Sequence, residues 1–343
     1  MTGSAFAQAT SGFLDMGVSV SSRFGPTADV RLSFENLFDS SLDFALRFRA
    51  GSEGEGGSVS VSRHTDIGST GTLRLLTLFD ASISDFDSNS FTEKNTRIEI
   101  GLRKDVGPNL TYGVDSFARQ VDIDDFDAAI SPVITADAGE SRAIGLRASL
   151  DWTNRETPDL LTPGQDASLV VSASGLGSSR DFVQSVVSGR NTWQLGERAS
   201  LRLSVAGGTT QATSGTSVHV ADRTFLGGQT LRGFEFGGAG PIDSATGDVL
   251  GGANYVTASV EYFQQLSGRP LFVGVFTDAG GAWDLPGVSN TNVDDSQSIR
   301  ASAGLSLNYA TSFGDLRFSL AVPVRKRDAD REQLATFAFD AKF

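Results

Sequence analysis

Apolar and polar residues alternate with a period of two along most of this chain. The clearest run sets Ile144, Leu146, Ala148, Leu150 and Trp152 against Gly145, Arg147, Ser149, Asp151 and Thr153. Leu42, Phe44, Leu46 and Phe48 behave the same way, as do Ile98, Ile100 and Leu102, then Leu201, Leu203 and Val205. Near the end, Ala301, Ala303, Leu305, Leu307 and Tyr309 alternate with polar residues, followed by Leu316, Phe318, Leu320 and Val322. Successive side chains of a strand point to opposite faces, so each run predicts a strand with one apolar and one polar face. Predicted strands begin near 12, 27, 40, 56, 69, 92, 109, 138, 165, 184, 198, 252, 269, 297, 312 and 331. No 3.6-residue pattern competes with them.

The polar faces carry Arg, Asp, Glu, Ser and Gly, which a soluble sandwich would not pack into a dry core. A membrane barrel inverts that logic: apolar side chains meet lipid and polar ones line a wet lumen. The predicted fold is therefore all-β, a transmembrane antiparallel β-barrel of about sixteen strands, since an even count closes without exposed edges. Residues 1–11 form an N-terminal tail and 12–343 one barrel domain. Turn residues separate the strands at Phe38–Ser41, Lys104–Asn109 and Thr311–Asp315. Asp122–Asp127 and Asn292–Asp295 read as outer loops, their charge solvated or holding a cation.

One segment breaks the alternation. Residues 207–251 are Gly-rich and contain Phe225-Leu226-Gly227-Gly228-Gln229-Thr230-Leu231-Arg232-Gly233-Phe234. Long non-strand segments inside barrels are usually functional or disordered. On a mobile surface loop Arg232 would be a solvated charge; folded into the lumen it needs partners, because an unpaired charge away from water is costly. Glu261 shares the polar face of its strand with Thr257 and Ser259, and Asp278 shares a face with Gly274 and Phe276. A guanidinium can serve two carboxylates through its fork of donors. The expected arrangement is a latch in which Arg232, flanked by Gly233 and Phe234, bridges Glu261 and Asp278.

The chain ends Ala335-Thr336-Phe337-Ala338-Phe339-Asp340-Ala341-Lys342-Phe343, with Phe337, Phe339 and Phe343 on one face. A final aromatic suits the interfacial girdle of a barrel. The net charge of −13 argues against nucleic acid as a partner. With no cysteine there is no thiol chemistry, and two histidines, His64 and His219, cannot by themselves build a His-rich metal site. Met1–Gln8 has the Ala-x-Ala shape of a signal-peptide end without the charged and apolar regions that should precede it.

The run from Leu226-Gly227-Gly228 through Leu231-Arg232-Gly233-Phe234 to Gly240-Pro241 resembles the loop of BamA/TamA-type outer-membrane assembly barrels, the bacterial surface antigen family. So do Asp248–Gly252 with Ala258–Glu261, Phe276–Trp283, Gly314–Val324 and the opening Ser11–Val18. The resemblance spans nearly the whole chain and is strongest over 222–343. It implies that Arg232 pairs with Glu261 and Asp278, and that Phe337, Phe339 and Phe343 belong to a terminal strand read by assembly machinery. It also implies a sixteen-strand barrel with a lateral gate between 12–22 and 331–343, where client strands add to the first strand. Bacterial outer membrane would be the location. Partners would be the lipid bilayer, unfolded outer-membrane clients, and periplasmic chaperones or assembly-complex lipoproteins. Family members normally carry POTRA modules ahead of the barrel, and here about eleven residues precede the first strand.

An insertase is thus the leading expectation. A TamA-like or two-partner secretion pore, the barrel half of a fusion and a passive porin stand beside it; a porin would not need the Arg232 loop. No cofactor is expected, and no catalysis: neither histidine sits in a recognisable nucleophile setting, and Gly227-Gly228 lacks the Gly-Lys-Ser/Thr of a phosphate loop.

Overall fold

The computed structural model describes residues 11–21, 25–35, 37, 42–51, 54–66, 74–87, 90–157, 159–215, 217–266, 270–311 and 314–341. The tail over 1–10, the turn at 38–41, the turn tip at 312–313 and Phe343 lie outside these residues. Sixteen strands make the barrel. The first eight are β1 (Ser11–Ser21), β2 (Gly25–Glu35), β3 (Leu42–Gly51), β4 (Gly54–Asp66), β5 (Arg74–Asp87), β6 (Thr92–Val106), β7 (Leu110–Asp124) and β8 (Gly139–Thr153). Then come β9 (Gly164–Ser174), β10 (Phe182–Gln194), β11 (Ala199–Ala212), β13 (Asn254–Gln265), β14 (Leu271–Trp283), β15 (Arg300–Thr311), β16 (Gly314–Arg325) and β18 (Ala335–Ala341). The remaining two, β12 (Gly233–Phe234) and β17 (Glu332–Gln333), pair with each other. Each barrel strand pairs antiparallel with its barrel neighbours, and β1 meets β18.

The meeting of β1 and β18 differs from every other junction. β1 and β2 share eleven aligned positions, from Ser11↔Glu35 to Ser21↔Gly25. Between β1 and β18, among the described residues, one position is paired: Val20↔Phe339. β18 is held on its other side by seven pairs with β16, Gly314↔Ala341 through Leu320↔Ala335.

The inverted packing is plain on β6, where Ile98, Ile100 and Leu102 stand exposed while Glu99 between them is only 8% exposed. Leu146 and Leu150 on β8 likewise face outward, and Arg147 reaches inward to Glu99 at 2.6 Å. Arg97 reaches the same carboxylate at 2.5 Å, and Arg103 pairs with Asp115. Most strands exceed the ~9–11 residues needed to span, so their ends rise above the apolar band.

The structure corrects the sequence reading at three places. β11 continues to Ala212, so the loop read from 207 starts at 213 and runs to 253. The Gly207-Gly208 pair hid a strand whose side chains are too small to show alternation. β7 continues to Asp124, taking in half of the Asp-rich segment, because Val121 and Ile123 face a buried apolar cluster. A one-turn helix, α1 (Pro132–Thr135), was missed; four residues are too few to reveal a period, although Ser131 caps it and proline opens it.

Candidate functional site

The loop 213–253 leaves β11 at the end of the barrel that carries the long connections and descends into the lumen. It enters through a buried cluster of Phe91, Ile123, Ile134, Val220, Leu250 and Leu285, drawn from five separate segments. Buried polar contacts bind the loop to the rim. Asp248 accepts from the Ser131 amide at 2.6 Å and from Ser90 Oγ at 2.5 Å, and Asp243 accepts from Ser131 Oγ at 2.6 Å. Arg223 pairs with Asp137 at 3.1 Å, and Asp222 receives both Arg180 at 2.9 Å and Arg119 at 3.3 Å.

The tip packs Leu226, Leu231, Phe234 and Ala239 against Ala282 of β14 in a second apolar cluster, with Phe234 fully buried. This cluster presses Arg232 against the wall. Its Nε donates to Asp278 Oδ2 and its NH2 to Asp278 Oδ1, both at 2.8 Å, a bidentate pair. NH1 donates to Glu261 Oε2 at 3.1 Å and NH2 also to Ser259 Oγ at 3.2 Å. The backbone amide of Arg232 adds a further donor to Asp278 Oδ2 at 3.2 Å. The guanidinium lies over Phe276, 3.3 Å from the ring centroid, so the aromatic face stabilises the buried cation.

Strand register explains why these groups converge. Ser259 lies opposite Asp278, and Glu261 opposite Phe276, so one stretch of the β13–β14 ladder presents all four side chains to the lumen. Glu261 Oε1 is held by Ser306 Oγ from β15 at 2.6 Å, across the intervening strand. That reach needs Gly274 on β14: a Cβ there would stand 2.3 Å from Ser306 Oγ and 3.0 Å from Glu261 Oε1. Gly233 has φ +95°, a conformation L side chains rarely adopt, and an added Cβ would come 3.0 Å from Ser302 Cβ.

The structure therefore brings Arg232, Gly233, Phe234, Glu261 and Asp278 together. Sequence reasoning missed the supporting residues Ser259, Ser306 and Gly274, and the stacking role of Phe276; the parity shared by Phe276 and Asp278 was the available signal. Phe337 stands exposed on the outer face of β18, and Phe339 lies at the β1–β18 pairing. Below the loop the lumen opens into a cavity of about 1470 Å³ bordered by Arg232, Glu261, Arg190, Arg202, Asp166 and Arg317.

His219 sits at the loop entrance. Its Nδ1 accepts from the Ala221 amide and its Nε2 meets Ser141 Oγ on β8, each at 3.2 Å. Burial first, then the charges of Arg180, Arg223 and Arg119, push its pKa down to about 3. The folded protein thus keeps His219 neutral while the unfolded chain takes up a proton below about pH 6.5. Its contribution is full above about pH 6.5 and is lost progressively as pH falls toward about 3. Melting curves of wild type and His219→Asn in detergent are expected to converge or cross as pH drops from about 7.5 to about 5. A constant offset would show that His219 does not titrate this way.

Residues 32–341 match the model of the Omp85 superfamily domain. Over 149 residues the chain is 32% identical to an outer membrane protein assembly factor BamA of Neorickettsia risticii (strain Illinois), covering 43% of this chain and 20% of the relative. Over 254 residues it is 25% identical to the SAM50-like protein CG7639 of Drosophila melanogaster, covering 72% of this chain and 56% of the relative. The crystal structure of BamA from Haemophilus ducreyi lacking POTRA domains 1-3 superimposes with a TM-score of 0.83 at 18% identity, over 96% of this chain and 70% of that one. The chain thus spans from one fifth to just over half the length of these two curated relatives.

Proposed function

Because the chain belongs to the Omp85 superfamily and is an outer-membrane β-barrel, we propose that it inserts other β-barrel proteins into that membrane without catalysing a covalent reaction. The clients are unfolded outer-membrane polypeptides. They enter between β1 and β18, which act as a lateral gate opening toward lipid. The observation that carries this reading is the β1–β18 junction, with one paired position among the described residues against eleven between β1 and β2. A strand whose edge is weakly satisfied offers its amides and carbonyls to another strand, and main-chain hydrogen bonding supplies the affinity. The Arg232 anchor keeps the loop in the lumen, so the barrel stays sealed while its side opens. Sequence relatives named for outer-membrane protein assembly support the same reading.

A second reading is passage of a polypeptide through the lumen, as in a TamA-like or two-partner secretion pore. The cavity leading up to Arg232 supports it. That route needs the loop to leave its anchor, whereas lateral insertion does not.

Reconstitution separates the readings. Liposomes carrying this protein are expected to speed the folding of a urea-unfolded outer-membrane porin at least several-fold over empty liposomes, scored as the heat-modifiable folded band. No acceleration, or the client appearing inside the vesicles rather than in the bilayer, would remove the insertase reading.

A further inference from the structure

The connection between β16 and β18, residues 326–334, packs into the barrel mouth, and its residues Arg331, Glu332 and Gln333 meet the lumen loop. At its centre the Asp330 side chain is 1% exposed and that of its partner Arg300 is 2% exposed. Arg300 Nε lies 3.2 and 3.1 Å from the two Asp330 oxygens, and NH2 lies 2.7 Å from Oδ1. The Arg327 amide donates to Asp330 Oδ2 at 2.7 Å. Arg300 NH2 also donates to the Gly240 carbonyl at 3.3 Å. One guanidinium, fixed at the first residue of β15, therefore holds both the lumen loop and the connection.

The contact then continues through the backbone. The Arg331 amide donates to the Gly238 carbonyl at 3.2 Å, and the Arg331 carbonyl accepts from the Glu235 amide at 3.0 Å. Glu332 and Gln333 pair with Phe234 and Gly233, the residues that follow Arg232. A single residue, Leu334, separates this ladder from β18, and its carbonyl accepts from the Ala321 amide at 2.8 Å. The lead-in to the last strand is thus bonded to the segment that the Arg232 anchor immobilises.

We propose that Asp330, gripped by Arg300, is a positioning residue for the last strand, and that the β12–β17 ladder ties the β1–β18 junction to the anchored lumen loop. β18 has seven pairs to β16 and one described pair to β1. Its freedom to swing at the junction is set in large part by how firmly its first residue is held. A buried aspartate that loses its charge weakens its hold on the guanidinium and leaves Arg300 buried and under-paired, a costly state. The lead-in then samples more positions, and any group on β18 spends less time beside its partner on β1. The weight of this for client insertion rests on the insertase reading above; the positioning itself does not.

The test uses no client, so it stands or falls apart from that reading. The chain has no cysteine, so introduced pairs report without background. Val20→Cys with Phe339→Cys reports the junction, and Leu305→Cys with Leu320→Cys, facing positions on β15 and β16, serves as the control. In the purified protein, Asp330→Asn is expected to slow disulfide formation at the junction at least threefold and leave the control pair unchanged. Asp330→Glu should restore part of the rate. Arg331→Pro, which removes the amide donor to Gly238 and the Arg331 side chain's bond to the Gly247 carbonyl while keeping both charges of the Arg300–Asp330 pair, should slow the junction similarly and carries the test if Asp330→Asn fails to fold. An unchanged junction rate in folded Asp330→Asn or Arg331→Pro protein, or equal slowing of both pairs, would overturn the proposal.

Discussion

Arg232→Ala leaves the barrel folded and sets the lumen loop free. The substitution strands Glu261 and Asp278 in a buried site, and breaking a buried pair by removing one partner costs about 3–5 kcal/mol. It also removes the cation from the face of Phe276 and the fork that joins Asp278 to Glu261. Local opening of residues 213–253 then becomes on the order of 10²–10³ times more frequent, since about 1.4 kcal/mol is a factor of ten. Limited proteolysis of the detergent-solubilised protein reads this directly. Cleavage within 213–253 should accelerate by at least tenfold while the strands stay protected and the folded band keeps its heat-modifiable mobility. The variants should rank by the bonds lost. Asp278→Asn weakens a bidentate pair and a backbone contact, and Glu261→Gln only one hydrogen bond from Arg232. Arg232→Lys keeps the charge and loses the fork, so it should fall between wild type and Arg232→Ala. Cleavage at the wild-type rate in Arg232→Ala would mean that the apolar cluster around Phe234 and the rim contacts hold the loop unaided.

Much of this architecture is written in local pattern, and the rest is not, for identifiable reasons. Parity alone gives most strands, because a lipid face and a wet lumen impose opposite chemistry on alternate residues. It also places Glu261 inward, on the polar side of its strand, whereas Asp278 shares its face with Gly274 and Phe276, where the alternation is poorer. Where side chains are small the signal fades, as at Gly207 and Gly208, and β11 runs past the point where alternation stops. Where a strand rises above the membrane the logic reverts to that of a soluble core. Ile123 is therefore buried against loops, and the acidic run around it reads as an outer loop. The supports of the anchor depend on register, which no single strand contains: Ser306 reaches Glu261 only because Gly274 lies between them. The Arg300–Asp330 pair is farther from sequence reach still, since it needs the β16–β18 connection to fold inward, and nothing in residues 326–334 announces that turn.

The claim that clients enter at the junction of β1 and β18 is tested most directly by locking it. Insertion by strand addition needs the edge of β1 free of β18. A disulfide at the one described pair, from Val20→Cys and Phe339→Cys, holds the two strands together while leaving Arg232, Glu261 and Asp278 in place. Folding of a urea-unfolded porin is followed on liposomes carrying the oxidised double variant, then again after reduction. The oxidised protein is expected to fall to the rate of empty liposomes, and the reduced protein to recover its full acceleration. Equal rates before and after reduction, with the disulfide formed in nearly every molecule, would contradict it.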